Sequence, residues 1–131
     1  MKIIVGYDGS SHAKKALKLA QKHAKAWNAK IEVIEAITRS NPLDFQYIQK
    51  AEQELEEDVR EILDGDKTSY ETHLVLDNLS AGEQLVNFAD RHKVHETIIG
   101  ARKRSRSGKL LFGSTTQYVV LNAPCPVVTV K

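Results

Sequence analysis

The stretch Ile98–Thr116, I-I-G-A-R-K-R-S-R-S-G-K-L-L-F-G-S-T-T, decides how the rest of the chain is read. A short β-branched run stops at Gly100, a basic loop follows, and Gly113-Ser114 opens a segment of helical character. Strand, glycine, loop and helix start is the arrangement by which α/β proteins hold a phosphate. The first N–H groups of a helix have no intrahelical partner and sit at the positive end of its dipole. Arg102, Lys103, Arg104, Arg106 and Lys109 add positive charge to the loop, with no acid among them. The stretch reads as an anion site, foremost for the phosphates of a nucleotide. It is not a P-loop: Leu110 follows Gly108-Lys109 where Ser or Thr is required.

The flanking sequence supplies a sheet for this loop. Lys2–Tyr7 is a nearly continuous apolar run, as expected of a strand covered on both faces. Asp8-Gly9-Ser10-Ser11 is turn chemistry with two candidate N-caps, and Ala13, Ala16, Leu17, Ala20, Ala24 and Trp27 then recur at helical spacing to about Asn28. Ile31–Ile37 reads as a second strand. Asn41-Pro42 breaks the chain before a long helix from about Leu43 to Leu63, which Gly65 ends. Tyr70–Leu76 alternates as a third strand. Ser80-Ala81-Gly82-Glu83 is a capping box, with Glu83 placed to reach back to the Ser80 backbone, and its helix runs to about His92. Glu96–Ile99 is the fourth strand, Ser114–Leu121 the fourth helix, stopped by Pro124, and Val127–Val130 the last strand.

Five strands alternating with four helices predict an α/β fold: one open, five-stranded parallel sheet with helices on both faces. Right-handed crossovers restrict the topology, and ligands in such sheets lie beyond the C-terminal strand ends where the strand order reverses. With order 3-2-1-4-5 the reversal falls between strands 1 and 4, so the Asp8 and Gly100 loops meet at one cleft.

Composition narrows the function. At 131 residues, 41% hydrophobic and 27% charged, the chain is expected to be one ordinary globular domain spanning 1–131. A net charge of +2 is too small to imply nucleic-acid binding. Residues 52–66 hold eight acids against Arg60 alone, which reads as an exposed acidic helix face. Cys125 is the only cysteine, which excludes an internal disulfide and a cysteine-rich zinc site; between two prolines it reads as a packing residue. No apolar run approaches the ~18 residues that span a membrane, so a cytoplasmic location without membrane attachment is expected. His92 and His95 lack the spacing of a helical metal pair, and no metal site is expected.

Three stretches carry a family resemblance: V-G-Y-D-G-S-S-H-A-K-K-A-L at the start, residues 98–116, and N-A-P-C-P-V-V-T-V at the end. Together they resemble the universal stress protein family over nearly the whole chain. The resemblance implies a Rossmann-like sheet of the adenine nucleotide alpha hydrolase type, and ATP or another adenine nucleotide as ligand, with Mg2+ as an optional counterion. The family's nucleotide-binding members resemble Gly-x2-Gly-x9-Gly-Ser/Thr; here Gly100, the spacing and Gly113-Ser114 fit, and Lys103 stands at the second glycine. By position, the resemblance implies Asp8 near the adenosine beside the backbone of Gly6 and Tyr7, and Ala36 against the base. It implies close approach of ribose and phosphates at Gly100. Gly113, Ser114, Thr115 and Thr116 are implied to hold phosphate oxygens through N–H groups and hydroxyls, with Arg102 and Lys103 beside them.

Each residue has a plainer reading. Asp8 suits a turn or a helix cap without any ligand. If position 103 needs φ > 0, Lys103 costs on the order of 1 kcal/mol; if only clearance matters, its ammonium can meet a phosphate, a contact contributing ~1.5–3 kcal/mol.

Three function classes follow. The first is a nucleotide-binding stress-response or signalling module whose output is a change of state or partner. No strong base, nucleophile or metal cluster stands in the motifs, so catalysis beyond slow ATP hydrolysis is not expected. The second is a nucleotide-free dimeric module whose basic loop 102–109 docks an acidic protein or, with less support for want of aromatics, nucleic acid. The third is a phospho-receiver or adenylating enzyme on the same scaffold, with Asp8, Asp77 and Lys131 as a poor match to an acid-acid-lysine site. A homodimer through the edge strand Val127, Val128, Thr129 and Val130 is expected, because an unpaired apolar edge invites a second copy and the family resemblance implies the same strand. A protein partner is expected without being specified.

Overall fold

Strand β1 (Lys2–Gly6) is central, which explains its apolar run: Ile3, Ile4 and Val5 are fully buried, with side chains pointing alternately to the two faces. The computed structural model describes residues 1–39, 44–65, 67–101 and 112–131. β1 pairs in parallel with β2 (Lys30–Thr38) on one side and β4 (Glu96–Gly100) on the other. β3 (Tyr70–Asp77) extends the sheet beyond β2, and β5 (Val127–Val130) beyond β4. The order is β3-β2-β1-β4-β5, as the sequence pattern predicts.

Helices α1 (Ser11–Trp27) and α2 (Phe45–Leu63) cover one face; α3 (Ala81–Arg91) and α4 (Ser114–Asn122) cover the other. α1 presents Ala13, Ala16, Ala20 and Ala24 to the sheet around Leu17, all buried. Small side chains at helical spacing let its backbone lie close against β1 and β4. α2 contributes Leu55, Val59 and Leu63 to the same core. On the other face Ile4, Ile34 and Ile99 pack under Leu85, Ala89 and Val119. Burying each such aliphatic side chain stabilises the fold by roughly 1.5–3 kcal/mol.

Several local expectations are sharpened. α2 begins at Phe45 rather than near Leu43, because the Asp44 carboxylate accepts the N–H groups of Gln46 (2.9 Å) and Tyr47 (3.4 Å) and makes Asp44 the cap. Asn41, Pro42 and Leu43 lie outside the described residues. On the acidic face Glu52, Glu54, Glu56, Glu57 and Glu61 are exposed, but Asp58 turns inward and accepts a hydrogen bond from the Tyr7 hydroxyl at 3.0 Å. Ser80 caps α3 by accepting the Glu83 N–H (3.3 Å), and Glu83 closes the box through the Ser80 hydroxyl (3.0 Å) instead of its backbone. Gln84, buried on α3, donates to the carbonyls of Ile37 and Leu79 and pins the helix start to the end of β2. The two histidines have structural contacts: His92 stacks on Phe88, and His95 Nδ1 accepts the Lys2 N–H. Cys125 is half-buried, its Sγ 3.2 Å from the Thr97 hydroxyl.

Candidate functional site

The strand order reverses between β1 and β4, and a cavity of about 460 Å³ opens beyond their C-terminal ends. Gly6, Tyr7 and Asp8 enter it from β1, Ala36 from β2 and Gly100 from β4; Gly113, Ser114, Thr115 and Thr116 enter from the start of α4. Segments more than a hundred residues apart in sequence thus share one wall. Arg102 and Lys103 lie outside the described residues, as do Arg104, Arg106 and Lys109. The floor is apolar, made by Ile34, Leu85 and Ile99, and the α1 side is closed by Ser10, His12 and Ala13. In the sequence Ser10 reads as a cap candidate and Ala13 as a helix-face position; that all six line one cavity emerges only when the helices fold back over the strands.

The turn after β1 answers the double reading of Asp8. Gly9 takes φ 80°, a conformation that disfavours any side chain, and Asp8 Oδ1 accepts the Ser10 N–H at 2.9 Å. Ser10, not Asp8, caps α1, its hydroxyl accepting the Ala13 N–H at 3.1 Å. Asp8 therefore fixes the turn while remaining exposed at the cavity wall.

Gly100 has a role the sequence does not reveal. A Cβ there would stand 2.8 Å from His12 Cβ, 2.9 Å from the His12 carbonyl carbon and 3.1 Å from the Ala13 nitrogen. Its missing side chain is taken up by the first turn of α1, whereas the resemblance assigns that space to the ligand. Thr116 is likewise committed: it is buried, and its hydroxyl donates to the Gly100 carbonyl at 3.0 Å. That bond ties α4 to β4 and leaves the Thr116 hydroxyl without its proton for a phosphate, so only its backbone N–H is available.

The start of α4 is open. Its N-cap is Gly113, with φ −65° and ψ 166°, and no side chain among the described residues caps the helix. α1, α2 and α3 are capped by Ser10, Asp44 and Ser80. A Cβ at Gly113 would meet no described residue within 4 Å, so these residues leave the cavity side of this cap clear. The N–H groups of the first turn thus face the cavity with the positive end of the helix dipole behind them.

A second cavity of about 330 Å³ adjoins the first through Tyr7 and Asp8 and lies under α2, with Glu35, Glu54 and Asp58 on its walls and Lys50 as its basic residue among those described. Burial first, then the negative charge of Asp8, Asp58 and Glu54, pushes the Glu35 carboxyl up to about 7. Burial and the bond to Asp58 push the Tyr7 hydroxyl far above its ordinary value, so it stays a donor at all ordinary pH.

Among the described residues the main cavity offers the first-turn N–H groups of α4, the Asp8 carboxylate, the hydroxyl-bearing Ser114 and Thr115, and an apolar floor. That combination has the chemistry to suit an anion joined to a flat apolar group. At the sheet edge, Val127, Val128, Thr129 and Val130 form β5, each half-buried and paired to β4 on one side. No helix among the described residues is long and apolar enough to cross a membrane.

The chain matches the family model for the universal stress protein family over residues 1–131. It is 33% identical to a universal stress protein of Thermus aquaticus over 98% of this chain and 97% of that protein. Its fold is similar to that of a universal stress protein from Archaeoglobus fulgidus, with TM-score 0.88, 30% identity, and coverage of 100% of this chain and 98% of the other. It is also similar to the universal stress protein from Archaeoglobus fulgidus in complex with dAMP, with TM-score 0.84, 25% identity, and coverage of 100% and 98%. The chain belongs to the universal stress protein family.

Proposed function

We propose that residues 1–131 act as one unit that binds an adenine nucleotide, ATP foremost, and works as a homodimeric regulatory or protective module in the cytoplasm. The observation that carries this reading is the start of α4, Gly113–Thr116, capped by no side chain among the described residues and facing a cavity of about 460 Å³ at the strand-order reversal. That volume lies within the roughly 300–1,000 Å³ of small-molecule sites. The phosphates lie on the N–H groups of the first α4 turn with the Ser114 and Thr115 hydroxyls, Asp8 faces the ribose, and the base rests on Ala36, Ile34 and Leu85. A dAMP complex of a related protein with the same fold supports an adenine nucleotide over other anions. Arg102 and Lys103, from the basic loop, would add charge to the phosphates. Mg2+ would travel with the phosphates, because Asp8 is the one carboxylate among the described lining residues, and one carboxylate suits an ion held chiefly by phosphate and water.

Dimerisation is supported by β5, an edge strand whose free side is apolar and short, and by Leu121, 73% exposed on the adjoining helix α4. The output of binding is a change of shape or partner rather than turnover. Mass spectrometry of the small molecules released from freshly purified, heat-denatured protein tests the reading. An adenine nucleotide in near-stoichiometric amount is expected. No nucleotide, together with no thermal shift at millimolar ATP, overturns it and favours the nucleotide-free docking module.

A further inference from the structure

On the α3 side of the sheet, away from the cavity and nearer the N-terminal ends of the strands, three metal-ligating side chains converge. Glu32 on β2 and Glu71 on β3 are directly opposed in register, and His73 lies two residues further along β3 on the same face. Like charges directly opposed across a strand pair destabilise it unless cations face them, and here Lys30 faces one oxygen of each carboxylate while the other oxygens turn to His73. Glu32 is almost wholly buried, its side chain 7% exposed, so its charge must be compensated locally.

The compensation is divided between the two oxygens of each carboxylate. Lys30 Nζ approaches Oε1 of Glu71 (2.7 Å) and Oε1 of Glu32 (3.4 Å). His73 Nε2 faces the other oxygens, Oε2 of Glu32 (2.6 Å) and Oε2 of Glu71 (3.7 Å). One ligand atom from each of the three residues lies within 4.8 Å of the others. Around a tetrahedral zinc with bonds near 2 Å, ligand atoms stand roughly 3.3 Å apart, a spacing that the two His73 distances bracket. Lys30 need not be displaced. It holds the outer oxygens and orients both carboxylates, the role that outer partners take in metal sites. The His73 ring is held from its other side by Phe88, at 5.1 Å between centroids and 54° between planes, and Phe88 is stacked on His92.

We propose that Glu32, Glu71 and His73 form a site for a divalent transition-metal cation of the Zn2+ class, with Lys30 as the residue that positions the two carboxylates. Imidazole plus carboxylate is the donor set such ions accept, and three protein ligands leave a position for water. The site joins the edge strand β3 to β2, so the bound ion locks the edge of the sheet. Sequence spacing does not disclose it, because Glu32 and His73 are 41 residues apart on neighbouring strands. The proposal is independent of the nucleotide reading.

The test is calorimetric titration of the whole chain with Zn2+, paired with Co2+ titration read by visible absorption. One equivalent is expected to bind, with a ligand-field band in the Co2+ form and a rise in Tm with Zn2+. Glu71→Gln, at an exposed position, and His73→Gln are each expected to weaken binding by at least about tenfold and abolish the Tm rise. His23→Gln and His95→Gln, outside the cluster, are expected to leave both unchanged. No binding up to millimolar Zn2+, or Glu71→Gln and His73→Gln proteins that fold and bind as tightly as the parent, overturns the proposal. Should His73→Gln fail to fold, Glu71→Gln decides alone.

Discussion

Gly100→Ala puts the packing of α1 on β4 to a direct test. The added Cβ would stand 2.8 Å from His12 Cβ, 2.9 Å from its carbonyl carbon and 3.1 Å from the Ala13 nitrogen. Two of these three atoms are backbone, so no side-chain rotation relieves them. Relief needs the first turn of α1 to retreat by roughly 0.5–1 Å, loosening the buried Ala13 and Ala16 against the sheet. Overpacking of this kind costs about 1–3 kcal/mol, and a backbone clash belongs at the upper end, so we expect about 2–3 kcal/mol. For a domain of this size that lowers Tm by roughly 6–15 °C. Urea unfolding followed by circular dichroism measures the change, with Gly113→Ala as the comparator. At Gly113 a Cβ meets none of the described residues within 4 Å and φ is −65°, so only cap preference is lost, ~1 kcal/mol or less. The same retreat moves His12 and Ala13 in the cavity wall, so nucleotide affinity should fall in Gly100→Ala as well. A Gly100→Ala protein within ~0.5 kcal/mol of the parent would mean that α1 does not bear on Gly100 in this way.

Other predictions follow the same geometry. Glu35 has its carboxyl raised from the ordinary 4.5 to about 7, so its contribution favours folding below pH 4.5 and is lost as pH rises through 7. The full displacement corresponds to roughly 3 kcal/mol, which solvent screening at this half-buried position reduces to about 1 kcal/mol. Glu35→Gln should therefore match the parent in urea unfolding at pH 4 and exceed it by about that amount at pH 8; equal stabilities at both pH values would remove the effect. Gly113→Ser supplies a hydroxyl to the open start of α4; it should add a few tenths of a kcal/mol to stability and weaken ATP binding, read by calorimetry, because the hydroxyl takes an N–H from the phosphate. Val128→Lys on β5 should shift the protein from dimer to monomer in light scattering, and a dimer unchanged by it would place the interface elsewhere. If Lys103 meets a phosphate, Lys103→Gly should lower ATP affinity several-fold and flatten its salt dependence; a gain in affinity would mean that the lysine obstructs the loop.

The elements were legible because local signals agreed with the global fold. The buried run Ile3–Val5 and the alanine face of α1 each allow one assignment, and short βα units then left few topologies. The strand-order reversal follows from that order, so the cavity could be located from sequence at the meeting of the Asp8 and Gly100 loops. The uses of the atoms inside it were less accessible. Whether Gly100 makes room for a ligand or for α1 depends on how close Ala13 and Ala16 let that helix come, which no spacing rule conveys. The Thr116 hydroxyl could be assigned to phosphate or to a carbonyl until β4 and α4 were placed together. The sequence places Asp58 on a solvated acidic face, because nothing local to α2 signals that the Tyr7 hydroxyl lies beneath it on the same face of the sheet. The Glu32, Glu71 and His73 cluster was invisible for the same reason: register between strands brings it together, and register is a long-range property.

Whether the start of α4 receives the phosphates of an adenine nucleotide can be read from a two-dimensional 15N–1H NMR titration with ATP. Saturable shifts of the Ser114, Thr115 and Thr116 amide signals are expected, with those of Gly6 to Asp8 and Ala36 moving at the same nucleotide concentration. Amide signals of residues 113–116 that stay fixed at millimolar ATP, whether or not others move, would contradict phosphate binding there.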